Sequence, residues 1–309
     1  MSDFKLVMLS AMFENGGNTT HRFLDGHPEL FVYPFESQLG TFLVNDYLVS
    51  LYPHRYRWPE FGLAGTPEGD YRAIIDEECK VRARVPHVSK FRHWRFDFSD
   101  DERRERYLDL VARMGGRSRA NNVEAFFRST FLAWRNRKAS GREHVYVGYS
   151  PIVVLDTEKI LEDFPNAHVV HVARNPWSAY ADTRKRPVPQ GLARYMHGWC
   201  LNQYFALMYE RMFPGRVHVV RLEDTLANPM RTLGGLCEKI GVKPAKTLKR
   251  TTWNGQLLRT LYPWGTVRTP TPEANRKTAL ELSDSDRAEV RIRAKPFLEI
   301  LKYDRFLKG

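Results

Sequence analysis

Residues 167–183 constrain the fold more than any other part of this 309-residue chain. An apolar run rich in valine ends there in Arg174-Asn175-Pro176. A short apolar run before a proline is typical of a buried strand, and proline suits the first turn of a following helix. Because open α/β sheets bind ligands at the carboxyl ends of their strands, Arg174 is predicted to lie at a ligand site. Its guanidinium suits a phosphate group, and pairing with a surface carboxylate is the alternative.

The rest of the chain alternates between apolar runs and helical spacing. Strands are predicted at residues 5–10, 145–147, 169–173 and 217–222. Helices are predicted at about 20–24, 39–51, 103–114, 123–135, 157–163, 190–213 and 230–240, with a last helix from Ser283. This alternation predicts an α/β fold with a central parallel sheet flanked by helices. We interpret residues 1–309 as one domain, in which about 45–140 form a mostly helical, acceptor-binding insertion.

Composition limits the class of partner and the compartment. The chain carries 48 Lys+Arg against 36 Asp+Glu, a formal net charge of +12, which favours an anionic partner without choosing among nucleotide, glycan, nucleic acid and membrane. Its three cysteines are scattered and match no disulfide framework or metal-ligand spacing, so a cytoplasmic location and no bound metal are expected. The N-terminal apolar run is too short for a signal peptide, and no run is long enough to span a membrane.

A second candidate site follows the first predicted strand, where the chain reads FENGGNTT from residue 13 to 20. A glycine-rich loop between a strand and a helix exposes backbone N–H groups that attract anions, although the same residues also suit a simple tight turn. Gly17-Asn18-Thr19 stands where nucleotide triphosphatases have Gly-Lys-Ser/Thr. This difference counts against an ATP or GTP hydrolase.

Several blocks, in the same order, resemble the family of sulfotransferases that use 3′-phosphoadenosine 5′-phosphosulfate (PAPS). They are FENGGNTTHRFLDGHPEL, GYSPIVVLDTEKILEDFPNAHVVHVARNP, RVHVVRLEDTLANPMRTLGGLCEKIGV and LELSDSDRAEVRIRAKPFLEILKYDRF. The resemblance covers residues 5–36 and 145–241 and the tail beyond 280. It implies a P-loop-like phosphosulfate loop on an α/β sheet, with PAPS as the sulfuryl donor.

The resemblance also implies a set of cofactor-binding residues. The 5′-phosphosulfate loop would comprise Asn15, Gly16, Gly17, Asn18, Thr19 and Thr20. Arg174 would hold the 3′-phosphate, and Ser178 would assist because Asp182 stands at the family's usual serine position. A basic C-terminal segment should also contact the nucleotide, and Arg268, Arg276 and Lys277 lie in that region.

Two positions depart from the family pattern. Glu14 replaces the basic residue of the loop, and Tyr149 replaces a lysine that often precedes Ser/Thr-Pro. The missing charge would then come from His21, Arg22 or a basic residue of the insertion such as Lys90. Farther along, Trp253 either stacks on adenine or belongs to the core.

Sulfuryl transfer needs alignment of the reactants, removal of a proton from the acceptor and stabilisation of charge on the leaving oxygen. Glu36 resembles the family's acidic base position, and a salt bridge to Arg22 is the alternative role for its carboxylate. His21 is the second candidate base and His93, on the insertion, the third.

The sequence therefore predicts a cytoplasmic PAPS-dependent sulfotransferase that acts on a hydroxyl acceptor, a carbohydrate or small metabolite. No nucleic-acid partner is expected. The alternatives are a P-loop kinase of small molecules, against which the missing lysine argues, and a non-enzymatic binder of acidic polymers, which the net charge also favours.

Overall fold

A computed structural model describes residues 3–85, 87, 92–258 and 271–308 of the chain. Its centre is a five-stranded, all-parallel sheet with the strand order β2-β3-β1-β4-β5. The strands are β1 (Lys5–Ser10), β2 (Leu30–Val32), β3 (Val145–Tyr149), β4 (His168–Ala173) and β5 (Val217–Arg221). The predicted α/β fold is confirmed.

Twelve α-helices are described. They are α1 (Gly17–Leu24), α2 (Pro67–Ala73), α3 (Glu77–Arg84), α4 (Asp100–Arg113), α5 (Arg119–Ala133), α6 (Thr157–Asp163), α7 (Pro176–Thr183), α8 (Leu192–Met212), α9 (Leu222–Ala227), α10 (Pro229–Lys239), α11 (Pro272–Ala279) and α12 (Asp284–Leu298). Ser283 caps α12 by accepting a hydrogen bond from the Asp286 N–H, as serine commonly does at this position. A two-stranded hairpin, β6 (Thr252–Trp253) and β7 (Gln256–Leu257), lies apart from the main sheet.

The two faces of the sheet are covered by different parts of the chain. Along β1, Leu6 and Met8 pack into one core cluster with the insertion and α8, whereas Val7 and Leu9 pack into another with α1 and α10. Alternation along a strand sends successive side chains to opposite faces. Because all five strands are parallel, their carboxyl ends meet at one edge, where the loops after β1, β2 and β4 lie together.

The insertion between β2 and β3 contains α2 to α5 and is organised around a buried arginine. Arg103 of α4 lies 2.6 Å from Asp76 and 2.6 Å from Asp100, and donates to the Tyr71 hydroxyl at 2.7 Å. A buried charge needs such pairing, because an unpaired one is strongly unfavourable in the core.

The helix predicted over residues 39–51 is wrong, since the segment forms turns. Its backbone bonds run to distant segments instead of along a helix: the Gly40 N–H donates to the Arg55 carbonyl and the Ile75 N–H to the Gly40 carbonyl. The Asp46 carboxylate accepts from the Leu48 N–H at 2.9 Å, which stabilises a local turn. Gly40 lies so close to the His54 carbonyl that a Cβ would clash there.

Candidate active site

The loop after β1 leads directly into α1, whose N-terminus is open. Gly16 takes the N-cap position with φ 83° and provides no side-chain cap, and the first helical bond runs from Thr20 N to Gly16 O. The first-turn amides of residues 17–19 therefore have no intrahelical acceptor. They leave backbone N–H donors unpaired within the helix, at the edge where the strands end, and such an arrangement suits an anion.

Two observations suit this turn to phosphate-like oxygens. A Cβ on Gly17 would clash with the Tyr149 ring and lie 2.6 Å from the Ala11 Cβ, so only glycine permits this close packing. The Thr20 hydroxyl is buried and makes no hydrogen bond to a described residue. Asn18 and Thr19 are partly exposed at the same turn.

Asn15 binds the protein's own groups. Its side-chain nitrogen donates to the Phe13 carbonyl at 3.0 Å and the Tyr195 hydroxyl at 3.1 Å, and its oxygen accepts from the Trp199 indole at 3.1 Å. That oxygen also lies 3.3 Å from the Arg174 N–H. Asn15 thereby joins the loop after β1 to the end of β4.

Arg174 lies at the end of β4, as the sequence predicts, and its guanidinium is largely buried. Nη1 lies 2.8 Å from the Asp182 carboxylate and 2.8 Å from the Glu14 carbonyl, while Nε donates to Asn275 at 2.8 Å. Nη2 makes no hydrogen bond to any residue that the structure describes. The guanidinium is therefore held in place with one nitrogen left for a further acceptor.

A buried polar network holds α11 against this end of β4. The Ser178 hydroxyl donates to the Asn275 carbonyl at 2.6 Å, so Ser178 contacts α11. Glu223 Oε1 accepts from the side chains of Asn175 at 2.8 Å and Asn275 at 2.9 Å, and Oε2 accepts from the Tyr303 hydroxyl at 2.8 Å.

The two predicted basic residues on α11 do not share the buried position of their neighbour Asn275. Arg276 and Lys277 are exposed on α11, whereas Asn275 is buried against Arg174. The prediction for Arg268 falls outside the described residues.

Glu14 pairs with Arg186 beside the loop. It has φ 61°, and its carboxylate lies 3.8 Å from Arg186, whose guanidinium sits 5.1 Å from the centre of the Phe13 ring. Burial raises the pKa of Glu14, while the charge of Arg186 opposes that shift. Arg186 is partly exposed and is a second cation at this loop, beside Arg174.

Glu36 follows β2 at the same edge of the sheet. The carboxylate is partly exposed and accepts from the Gln38 amide at 3.5 Å. Burial raises the pKa of both Glu14 and Tyr149, and the negative charge of Glu36 raises both further. The N–H of the next residue, Ser37, donates to the Tyr149 carbonyl at 2.7 Å, so Glu36 lies beside the end of β3.

The other candidate bases and cations lie in different surroundings. His21 is buried, with Nδ1 2.5 Å from Arg22, and the Arg22 side chain reaches the Pro34 carbonyl at 3.3 Å and Asp25 at 3.8 Å. His93 is exposed on the insertion. The prediction for Lys90 falls outside the described residues.

Trp253 belongs to the core. It is fully buried, its indole donates to the Pro34 carbonyl at 2.8 Å, and its ring packs against an aromatic cluster. That cluster comprises Phe35, Trp94, Phe96 and Trp134. An adenine partner is therefore not needed to explain this tryptophan.

The described residues also bear on metal binding and on membrane insertion. They contain no group of three or more His, Cys, Asp and Glu side chains arranged to hold a metal ion. None of the helices in the described ranges combines the length and apolar character required to cross a bilayer.

A model of the sulfotransferase family matches residues 16–245. The chain belongs to the sulfotransferase family. That match includes α1, Glu36, Arg174 and Glu223, whereas α11 and α12 lie beyond it.

Solved structures of sulfotransferases are similar to the chain at low sequence identity. The sulfotransferase domain from the curacin biosynthetic pathway is 15% identical, with a TM-score of 0.51 over 97% of each chain. The domain from the Synechococcus PCC 7002 olefin synthase is 18% identical, with a TM-score of 0.49 over 97% of this chain and 95% of its own. Retinol dehydratase in complex with androsterone and inactive cofactor PAP is 9% identical, with a TM-score of 0.40 over 97% of this chain and 82% of its own. No curated protein sequence matches the chain.

Sequence reasoning missed Arg186, Asn275 and Glu223 at this site. Arg186 follows α7 in a stretch without a motif, and the α11 sequence PEANRKTA contains no large apolar side chain. The Glu-Asp pair at the end of β5 was a visible signal for Glu223, since a carboxylate at a strand end faces the ligand-binding edge.

Proposed function

We propose that the protein transfers a sulfuryl group from PAPS to a hydroxyl acceptor, a carbohydrate or small metabolite. The observation that carries this proposal is the uncapped N-terminus of α1, packed through Gly17 against Tyr149, at the edge where Arg174 and Glu36 also lie. Family membership supports sulfuryl transfer, and the family generally uses PAPS.

The residues present suit the donor. The amides of residues 17–19 and the orphaned Thr20 hydroxyl would bind the 5′-phosphosulfate oxygens, with Gly16 setting the turn and Asn15 anchoring it. Arg174 would offer Nη2 to the 3′-phosphate, with Ser178 fixing α11 beside it. Arg276 and Lys277 remain predicted nucleotide contacts, acting from the exposed side of α11. PAPS supplies the sulfuryl group.

In this proposal Glu36 takes the proton from the acceptor hydroxyl, whose oxygen forms the new S–O bond. The S–O bond to the 5′-phosphate breaks, and adenosine 3′,5′-bisphosphate (PAP) leaves with the bonding electrons. Arg186, oriented by Glu14, lies at the loop and stabilises the negative charge that develops during transfer. His21 is the alternative base.

Two variants test these roles, with PAPS turnover and PAP calorimetry as separate measurements. Glu36→Gln should lower kcat about 10²–10⁴-fold, because general-base catalysis contributes that much, while the Kd for PAP stays within about twofold. Arg186→Gln should lower kcat about 10²-fold through lost charge stabilisation. Glu158→Gln, an exposed substitution on α6, is the matched control and should leave both quantities unchanged.

Absence of PAP binding to the unmodified protein would refute the donor assignment. If Glu36→Gln instead abolished PAP binding and turnover in parallel, the carboxylate would be a structural group and the base role would be wrong.

A further inference from the structure

A cavity of about 410 Å³ adjoins the candidate active site. It lies between the loop after β1, the segment around residue 51, and the N-terminal half of α8. Its apolar walls are formed by Met12, Phe13, Leu51, Tyr52 and Leu201. A concave, mostly apolar cavity with a few polar groups is the usual form of a small-molecule site.

Phe13 connects this cavity to the proposed point of transfer. The residue lines the cavity and directly precedes Glu14, and its ring lies under the guanidinium of Arg186. The Phe13 ring also contacts Tyr56 edge-on, with 5.6 Å between ring centres. A molecule in the cavity would therefore lie against the same ring as the cation that is proposed to assist transfer.

The polar rim of the cavity is basic. Arg194 and His197 lie one turn apart on α8, are exposed, and form no hydrogen bond or ion pair with any described residue. Arg293 of α12 also lines the rim, but its guanidinium is paired with Glu289 at 2.6 Å. The residues described along this cavity include no aspartate or glutamate.

An arginine beside an apolar cavity favours an occupant that combines an apolar body with an anionic group. A guanidinium pairs with a carboxylate through two parallel hydrogen bonds, and such a charge-assisted pair is about twice as strong as a neutral hydrogen bond. His197, one turn away, adds an imidazole that can donate a further bond. An apolar body alone would leave both groups unused.

We propose that the acceptor joins an apolar body to a carboxylate, and that Arg194 binds this carboxylate while the hydroxyl faces the phosphosulfate loop. This inference rests on the proposed sulfuryl transfer and narrows its acceptor to hydroxy acids. Arg194 is then a specificity-determining residue.

Equilibrium binding of two matched probes, without PAPS, tests the inference. The probes are 3-(4-hydroxyphenyl)propanoate and 4-propylphenol, which share a phenol and a three-carbon chain and differ in the carboxylate. The unmodified protein should bind the acid at least about tenfold tighter, and Arg194→Gln should remove that preference. Arg211→Gln, an exposed arginine in the last turn of the same helix, is the matched control and should keep it.

The proposal would be overturned if the unmodified protein bound the two probes equally or bound neither. It would also be overturned if the Arg194 and Arg211 variants lost the preference for the acid to the same extent. PAP calorimetry on the same variants separates the two levels of inference. If PAP fails to bind while the acid preference persists, sulfuryl transfer is wrong and the acid site remains.

Discussion

At the residue scale, the carboxylate of Asp182 determines the charge environment of Arg174. Both side chains are buried, and their 2.8 Å ion pair neutralises the cation that the 3′-phosphate is proposed to use. Lys185 partly compensates, because it lies 3.1 Å from the second carboxylate oxygen. Asp182 therefore holds Arg174 in place, and its negative charge weakens the attraction of Arg174 for an anion.

Asp182→Ser should separate these two effects. Loss of the buried carboxylate should lower the free energy of unfolding by about 3 kcal/mol, since Arg174 loses its charged partner. The affinity for PAP should rise about tenfold, because a like charge beside the 3′-phosphate is removed. Urea unfolding and PAP calorimetry measure the two quantities.

Asp286→Ser is the control for that experiment. It breaks a partly exposed pair with Arg184 at 2.9 Å, so it should cost at most about 1 kcal/mol and leave the PAP affinity unchanged. A PAP affinity that falls in Asp182→Ser would mean that the ion pair positions Arg174 for the phosphate.

At the element scale, α11 docks its buried face mainly on α7 and α9, next to the end of β4. Asn275 connects Arg174 to Glu223, and Thr271 caps the helix by accepting from the Ala274 N–H. Only eight residues long, the helix depends on these contacts more than on its own propensity. The opposite face carries Arg276 and Lys277.

Variants on the two faces of α11 should behave differently. Asn275→Ala should lower the free energy of unfolding by about 1–3 kcal/mol, because buried groups on Arg174 and Glu223 lose a partner, and should weaken PAP binding. The double variant Arg276→Ala/Lys277→Ala should weaken PAP binding with unchanged Tm. Thermal unfolding with and without PAP measures both, and unchanged PAP binding in the double variant would remove these two residues from the nucleotide site.

At the scale of the whole molecule, buried histidines connect stability to pH. Burial lowers the pKa of His171 to about 4, and burial together with neighbouring cations lowers the pKa of His168 and His218 to about 4. His168 and His218 also stack, with Nδ1 and Nε2 3.2 Å apart. All three stay neutral in the folded state at a pH where an unfolded histidine is protonated.

The protein should therefore lose stability steeply between about pH 6.5 and pH 4. The folded-state pKa values lie below the unfolded value, so the contribution is complete above pH 6.5 and is lost as the pH falls. Each histidine adds at most about 1.4 kcal/mol per pH unit to the slope of the unfolding free energy. His171→Gln should reduce that slope by up to about 1.4 kcal/mol per pH unit, which corresponds to one proton. This change in slope is independent of any effect of the substitution on the free energy of unfolding at pH 7.5.

Urea unfolding at several pH values measures this slope. His144→Gln changes an exposed histidine and should leave it unaltered. An identical slope in His171→Gln and the unmodified protein would show that His171 is protonated in the folded state.

Much of the architecture follows from local sequence. The apolar run before Arg174 specifies β4, the proline specifies the first turn of α7, and Ser283 specifies the start of α12. These features depend on residues a few positions apart, so strand burial, proline geometry and capping suffice to predict them.

Long-range contacts decided the rest. The Arg174–Asn275 bond joins residues 101 positions apart, and the Arg186–Glu14 contact joins a loop after α7 to the loop after β1. Residues 39–51 have helical spacing, yet their backbone pairs with the segments around residues 55 and 75. The sequence by itself determined the α/β fold and the glycine-rich turn between β1 and α1, because both depend on residues close together in the chain. Only the tertiary structure decided that Asp182 neutralises Arg174 and that Arg186 reaches the loop, since the geometry of packed elements determines which distant charges meet.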